Sequence, residues 1–479
     1  MTDARTRSAV PPTDEPDPNR WKALSVCLAA GFMTLLDVSI VNVALPSIAQ
    51  DLDASPSALQ WVVSGYALTF GLVLVSAGRL GDARGRRSLF IVGVVVFTLA
   101  SLAAGLAPSA EWLVAARLVQ GVGGGIINPQ VSGIIQQLFR GAERGRAFGR
   151  LGTTIGVSTA IGPVLGGVIL AVVGPEDGWR WVFLVNLPVG VLAVLLSLRY
   201  LTPRRDKEPA RDLDPVGAVL LGAGVVGLLW PLVSEQWETV DLVLLVAGLV
   251  LLVAFGLWER RVAARGGTPM VRLSLFRVPG YGSSALLALA YFSGFTSIFF
   301  VLTLYLQDEL AYSPLAAGLA ITPFALGSAV TSAVGGRVVS TRGRSVVVLG
   351  LALVVVGVVA TDVLLALAAG SPATGWWIAA PLLVAGLGSG LVISPNQTLA
   401  LEHVPVEQAG AAGGVLQTGQ RLGSAVGIAV AGSLYFAGSG SGDTATGVTH
   451  GLRATVALLA VALAMGVVDL RRRSPNRAA

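Results

Sequence analysis

Asp37 lies near the middle of an apolar stretch, Leu36-Asp-Val-Ser-Ile-Val-Asn-Val-Ala-Leu-Pro46. An ionised acid at the centre of a membrane helix costs about 2.5 to 3.5 kcal/mol on insertion scales, so it must face protein or water. Such a group is suited to binding and releasing a proton. The alternative is a static hydrogen bond or ion pair that holds two helices together. Arg117 opens Arg117-Leu-Val-Gln-Gly121, about a turn and a half below Trp112, whose indole marks the outer interface. Facing the same cavity as Asp37, it would bias the proton affinity of that acid; otherwise it snorkels to the outer headgroups.

Two glycine-rich patterns accompany these charges. In Gly78-Arg-Leu-Gly-Asp82-Ala-Arg-Gly85-Arg86-Arg87 the glycines permit a tight turn. Asp82 is placed to cap a helix N-terminus or to pair with Arg86. Such a contact can latch one face of a transporter in one state and break in the other; the plain alternative is a charge run that only sets topology. A later stretch carries Gly152, Gly156, Gly162, Pro163, Gly166 and Gly167. Small residues at intervals of four let another helix approach closely, and a proline frees a carbonyl and kinks the helix. Simple packing is the competing explanation for any one of these glycines. Tyr291, Phe292, Phe295, Phe299 and Phe300 are candidates to line a greasy cavity, unless they face lipid or a neighbouring helix. Asn42, Trp61, Tyr66 and Gln120 are further cavity candidates, and Asp362 is a minor acid near the outer surface.

The elements that position these groups follow from composition. With 54% hydrophobic and 13% charged residues among 479, the chain cannot hide its apolar surface in a water-soluble core. Spanning a bilayer takes about 20 apolar residues per helix. Such runs occur at 23–48, 58–78, 89–107, 112–138, 147–172, 181–201, 215–233, 240–257, 281–306, 315–336, 345–368, 376–399, 411–436 and 452–469. With the N-terminus in the cytoplasm, 29 of the 33 basic residues fall on the cytoplasmic side, the bias that orients membrane helices. Arg117, Arg180, Arg421 and Arg453 are the exceptions. The net charge of +6 is thereby absorbed without a nucleic-acid partner. One cysteine, Cys27, excludes an internal disulfide, and two histidines, His403 and His450, are too few for a metal site. No nucleophile with its base and no cofactor loop points to an enzyme. The first 20 residues lack the apolar core of a cleavable signal, so the first span serves as the insertion signal. Lysine occurs only at Lys22 and Lys207, a bias that suggests a high-GC bacterial genome; the expected location of such a multi-span chain is then the bacterial plasma membrane.

An internal repeat divides the chain. Gly78 to Arg86 matches Gly336-Arg-Val-Val-Ser-Thr-Arg-Gly-Arg344 at five of nine positions. Leu118-Val-Gln-Gly-Val-Gly-Gly-Gly125 resembles Leu383-Val-Ala-Gly-Leu-Gly-Ser-Gly390, and Arg150-Leu-Gly-Thr-Thr-Ile-Gly156 resembles Arg421-Leu-Gly-Ser-Ala-Val-Gly427. Spans 2, 4 and 5 therefore pair with spans 10, 12 and 13, and the third match places Arg421 near a cytoplasmic helix end. Two parallel six-helix repeats are expected, with the substrate path between them. The expected division is a disordered tail at 1–22, bundles at 23–201 and 281–469, a linker with two inserted helices at 202–280, and a second tail at 470–479. The second repeat has Ser340 and Leu382 where the first has Asp82 and Arg117, so coupling chemistry concentrates in the first half.

Together, the Gly78–Arg87 loop, Arg117-x-x-Gln-Gly121 and Gly162-Pro-x-x-Gly-Gly167 resemble the signature motifs of the major facilitator superfamily. Leu36-Asp to Leu45-Pro46, Leu59-Gln-Trp-Val-Val-Ser-Gly-Tyr66, Trp179-Arg-Trp-Val-Phe-Leu-Val-Asn-Leu-Pro-Val-Gly190 and Tyr305-Leu-Gln307 are similar to the fourteen-helix drug:H+ antiporters of the EmrB/QacA type. The resemblance implies an all-α membrane fold with both termini cytoplasmic. It also implies export of lipophilic, often cationic compounds in exchange for protons. No residue pattern calls for a cofactor, and a monomer is the working expectation, which the sequence does not fix. By the same likeness Asp37 and Arg117 take the coupling roles, Asp82 with Arg86 the cytoplasmic gate, and Gly162 to Gly167 the antiporter motif. Thr154 and Ser158 interrupt the longer glycine ladder of that family. A facilitator taking up a metabolite, or a membrane sensor that moves nothing, remains the alternative.

Overall fold

The computed structural model describes residues 17–202, 214–233, 239–368, 371, 373–439 and 444–473. Most of both expected tails lies outside the described residues. The helices before the linker are α1 (Arg20–Asp51), α2 (Pro56–Arg84), α3 (Arg86–Gly105), α4 (Ala110–Leu138), α5 (Gly141–Val173), α6 (Pro175–Leu184) and α7 (Asn186–Tyr200). Next come α8 (Pro215–Val233) and α9 (Thr239–Ala264). The rest are α10 (Tyr281–Leu304), α11 (Pro314–Arg342), α12 (Arg344–Ala368), α13 (Thr374–Trp377), α14 (Ala379–Leu401), α15 (Ala409–Ser439) and α16 (Thr444–Arg473).

Every apolar run identified in the sequence falls on helix, and among the described residues eleven helical stretches, one of them running through α6 and α7, are long and apolar enough to cross a membrane. Neither α4 nor α15 is among them, and α8 is shorter. The low hydropathy of α4 has a structural cause, because Arg117, Gln120, Gln130 and Gln136 all point inward and are buried. Outward faces are apolar in the way lipid demands: Val243, Val246, Val250, Val253 and Leu257 of α9 are all more than half exposed.

Two of the runs are broken where the sequence reading drew single spans. The run at 181–201 divides at Val185 between α6 and α7, and the run at 376–399 divides at Ile378 between α13 and α14. A proline follows each break. Pro188 has no N–H for the carbonyl of Leu184, and Pro381 none for that of Trp377, so the ladder lapses four residues before each proline. Past Leu304 the α10 helix loosens into a π-helical turn over Tyr305–Glu309, of a kind that often marks a functional site.

The repeat is visible in details of the chain. Ser55 and Ser313, at equivalent positions, cap α2 and α11 by accepting from Ala58 N and Ala316 N, both at 3.2 Å, with proline next in each case. Gly85 and Gly343, also equivalent, end those helices with φ of 105° and 54°, where an L side chain would be strained. The halves meet mainly through α2 against α15 and α5 against α11. Because α2 pairs with α11 in the repeat and α5 with α15, these two contacts exchange with one another. The inserted α8 packs on α9 and on both α2 and α15, with Leu221 and Val225 against Val75, Leu422 and Ala425.

Candidate functional site

Asp37 and Arg117 meet in the interior of the first bundle. Arg117 Nη1 donates to Asp37 Oδ2 at 2.5 Å, and both side chains are essentially inaccessible. Gln120, one turn along α4 from Arg117, donates through Nε2 to Asp37 Oδ1 at 2.8 Å and accepts from Arg117 Nη1 at 2.8 Å. Asn186, at the α6–α7 break, donates to Asp37 Oδ1 at 3.1 Å and to Ser101 Oγ at 3.0 Å. Arg117 Nε donates to the Val62 carbonyl at 2.9 Å, and the guanidinium lies 4.2 Å over the ring of Tyr66. The five helices α1, α2, α3, α4 and α7 thus converge on one ion pair. Arg117 does not snorkel, although Trp112 above it is exposed.

The chemistry follows from this geometry. An ion pair removed from water is tolerable only while both charges and the remaining hydrogen bonds are satisfied. Protonating Asp37 would leave Arg117 without its counter-charge, so proton binding and the intact pair exclude one another.

A second cluster joins the two halves on the side of the basic loops. Asp82 Oδ1 accepts from Arg86 Nη2 at 2.7 Å and Nε at 3.1 Å, and from Gly410 N at 3.0 Å; Oδ2 accepts from Ala411 N at 2.9 Å. The carboxylate therefore caps the N-terminus of α15, where the helix dipole favours a negative charge. Arg86 also donates to the carbonyls of Gly133 and Val406. Backbones cross at glycine on both sides of the pseudo-twofold. A Cβ on Gly78 would sit 2.2 Å from the Gly410 carbonyl oxygen, and one on its repeat mate Gly336 would sit 2.3 Å from that of Gly145. The contact between the halves is therefore symmetric in backbone and asymmetric in charge. Arg344, the mate of Arg86, instead reaches Asp469 of α16 at 2.6 Å, Asn396 at 2.6 Å and Ser284 at 2.7 Å.

The glycines of α5 allow close contact on two sides. A Cβ on Gly162 would lie 2.4 Å from Ser39 of α1, and one on Gly156 would lie 2.9 Å from Ala329 N of α11. Gly166 abuts Ile40, whereas Gly167 has ordinary clearance. Pro163 lies within α5, which runs through this stretch as one helix.

The cavity candidates disperse. Tyr66 and Gln120 belong to the surroundings of the ion pair. Trp61 packs on Trp230 of α8, ring centroids 4.8 Å apart. Tyr291 is buried and donates to Ser389 Oγ at 2.8 Å, and Phe295 packs among Tyr291, Phe292, Phe299 and Phe324. Asn42 does line a cavity of about 230 Å³ between the halves, together with Ser39, Thr159, Phe299, Thr303 and Gln307. Asp362 faces Arg453 at 3.8 Å. Arg421, expected near a helix end, instead reaches inward over Phe70 at 4.5 Å. Asn186 had been legible only as part of the Val-Asn-Leu-Pro resemblance, and nothing in its spacing pointed to Asp37.

Two helical bundles related by a repeat, crossed by lipid-facing helices and closed over a buried acid–arginine pair, define a membrane transporter. The family model of the Major Facilitator Superfamily matches residues 27–428, and the chain belongs to that superfamily. It is 38% identical over 455 residues to a probable actinorhodin transporter of Streptomyces coelicolor, covering 92% of this chain and 78% of that protein. It is 37% identical over 486 residues to the puromycin resistance protein pur8 of Streptomyces alboniger, covering 96% and 94%. The crystal structure of the human organic anion transporter MFSD10 superposes with a TM-score of 0.67 at 16% identity, covering 94% of this chain and all of that one; the shared feature there is the fold.

Proposed function

We propose that this chain is a fourteen-helix antiporter that exports small lipophilic compounds such as drugs or antibiotics in exchange for protons across a bacterial plasma membrane. Both termini and the basic loops face the cytoplasm. Bundles at 23–201 and 281–469 rock about the path between them, and a single chain suffices. The observation that carries the proposal is the buried Asp37–Arg117 pair, because ionisable groups inside a membrane protein are costly to bury and are found mainly on transport and proton pathways.

In this cycle the state described above is closed toward the cytoplasm by Asp82, Arg86 and the glycine crossings. A proton arriving from outside takes Asp37, Arg117 loses its counter-charge, and the bundle rearranges as substrate leaves. The latch then parts, the proton is lost to the cytoplasm, and substrate reloads. Export rather than uptake is supported by the names of the relatives, an antibiotic transporter and a resistance protein.

The test is a susceptibility screen against diverse amphiphilic antibiotics, comparing cells with and without the gene and with a protonophore. Raised tolerance that the protonophore cancels and that Asp37→Asn abolishes is the expected result. Accumulation of compounds inside expressing cells would overturn the direction.

A further inference from the structure

Arg421 is a charge that the coupling site does not use. It lies on α15 about 18 Å from the Ala409 end at 1.5 Å per residue, well beyond the latch. α15 there packs on α2 and α4 of the opposite half, which puts the residue on the path between the bundles. Its guanidinium stands over the Phe70 ring and lines a cavity of about 50 Å³ with Val38, Tyr66, Phe70 and Arg117. Among the described residues it makes no ion pair and no hydrogen bond. Asp37, the acid of this region, is already engaged by Arg117, Gln120 and Asn186. The Tyr66 hydroxyl is directed to the Thr34 carbonyl at 3.3 Å. With Arg117 balanced by Asp37, the lining keeps a net positive charge.

A partly buried guanidinium with five donors and no acceptor is strongly unfavourable unless something completes it. Planar acids match its fork in two parallel hydrogen bonds. The room beside it accommodates an acid group but not a drug-sized body, and the neighbouring rings of Tyr66 and Phe70 offer faces on which an aromatic body can stack.

We propose that Arg421 is an anion subsite of the transport path, binding the carboxylate or phenolate of an aromatic substrate. The inference rests on the export reading and narrows it, because it selects acidic rather than cationic cargo. As the halves part, the substrate body occupies the widening space and its acid group stays on Arg421.

Purified full-length protein is heated in detergent with naphthoate, naphthamide or naphthylmethylammonium, which share a ring system and differ in charge. Naphthoate should raise the unfolding temperature and the other two should not. Arg421→Gln should weaken the naphthoate response at least tenfold in apparent affinity, and Arg421→Lys should retain part of it. Equal responses to all three probes, a response to the cation alone, or an unaltered response in Arg421→Gln would overturn the proposal. If Arg421→Gln fails to fold, the charge discrimination of the unmodified protein decides. Naphthoate binding without proton-driven movement of naphthoate into everted vesicles would support the subsite and sink the export reading.

Discussion

Replacing Asp82 with asparagine should unlatch the cytoplasmic face. The carboxylate accepts from Gly410 N at 3.0 Å and Ala411 N at 2.9 Å, one on each oxygen, and from two nitrogens of Arg86. Asparagine offers one acceptor oxygen and turns an amide NH2 toward one of the two backbone donors. Hydrogen bonds to a charged group contribute about 1.5 to 3 kcal/mol each. Losing one across the interface and weakening the other gives about 2 to 3 kcal/mol, or roughly 30- to 150-fold in the open-to-sealed ratio. Spin labels on Ala142 of α5 and Ser345 of α12 report that ratio by pulsed electron resonance. Both sites are exposed and lie in different halves, and the native Cys27 is buried. In Asp82→Asn the distance distribution should gain a long component that is minor in the unmodified protein. An unchanged distribution would show that the contact closes nothing, and the latch argument would fail.

Other substitutions probe the remaining contacts. Arg117→Gln leaves Asp37 with Gln120 and Asn186 alone, which should cost about 3 to 5 kcal/mol of stability. Adding Asp37→Asn should recover most of that loss in thermal unfolding, whereas additive losses would refute the pairing. Gly121→Ala places a methyl 2.2 Å from Thr69 Oγ1 and 2.4 Å from the Tyr66 carbonyl oxygen. It should push α2 off α4 and abolish transport, while Gly31→Ala, with nothing within 4 Å, should be neutral in the same assay. Asp469→Asn should destabilise the second bundle by about 3 kcal/mol, read as a lower unfolding temperature, because Arg344 is buried against it.

Lipid makes much of this fold legible. Because the solvent is apolar, every span must be a hydrophobic run, and each run found in the sequence lies on a helix. Prolines follow the breaks at Val185 and Ile378, but Pro46, Pro129, Pro323 and Pro395 lie inside continuous helices, so proline alone did not mark where a run would divide. Individual side-chain partners were not legible in the same way. Asp37 and Arg117 are 80 residues apart, and nothing in spacing along two helices sets their mutual rotation in a bundle. Asn186 illustrates the difficulty, since its position depends on a helix break and on the packing of α7 against α1 and α3. The repeat guided the backbone well, through the paired glycine crossings and serine caps, but misled on side chains. Arg150 is exposed and stacks on Trp21, whereas its mate Arg421 turns inward. The loss of an acid at Ser340 was plain, but its replacement by Asp469 from a different helix was not.

Proton movement on substrate addition tests the central claim most directly. In energised everted vesicles, an exported compound added from the cytoplasmic side should displace protons into the medium, and Asp37→Asn should abolish both that release and uphill transport while the protein stays folded. Undiminished uphill transport by Asp37→Asn would remove this carboxylate from the mechanism.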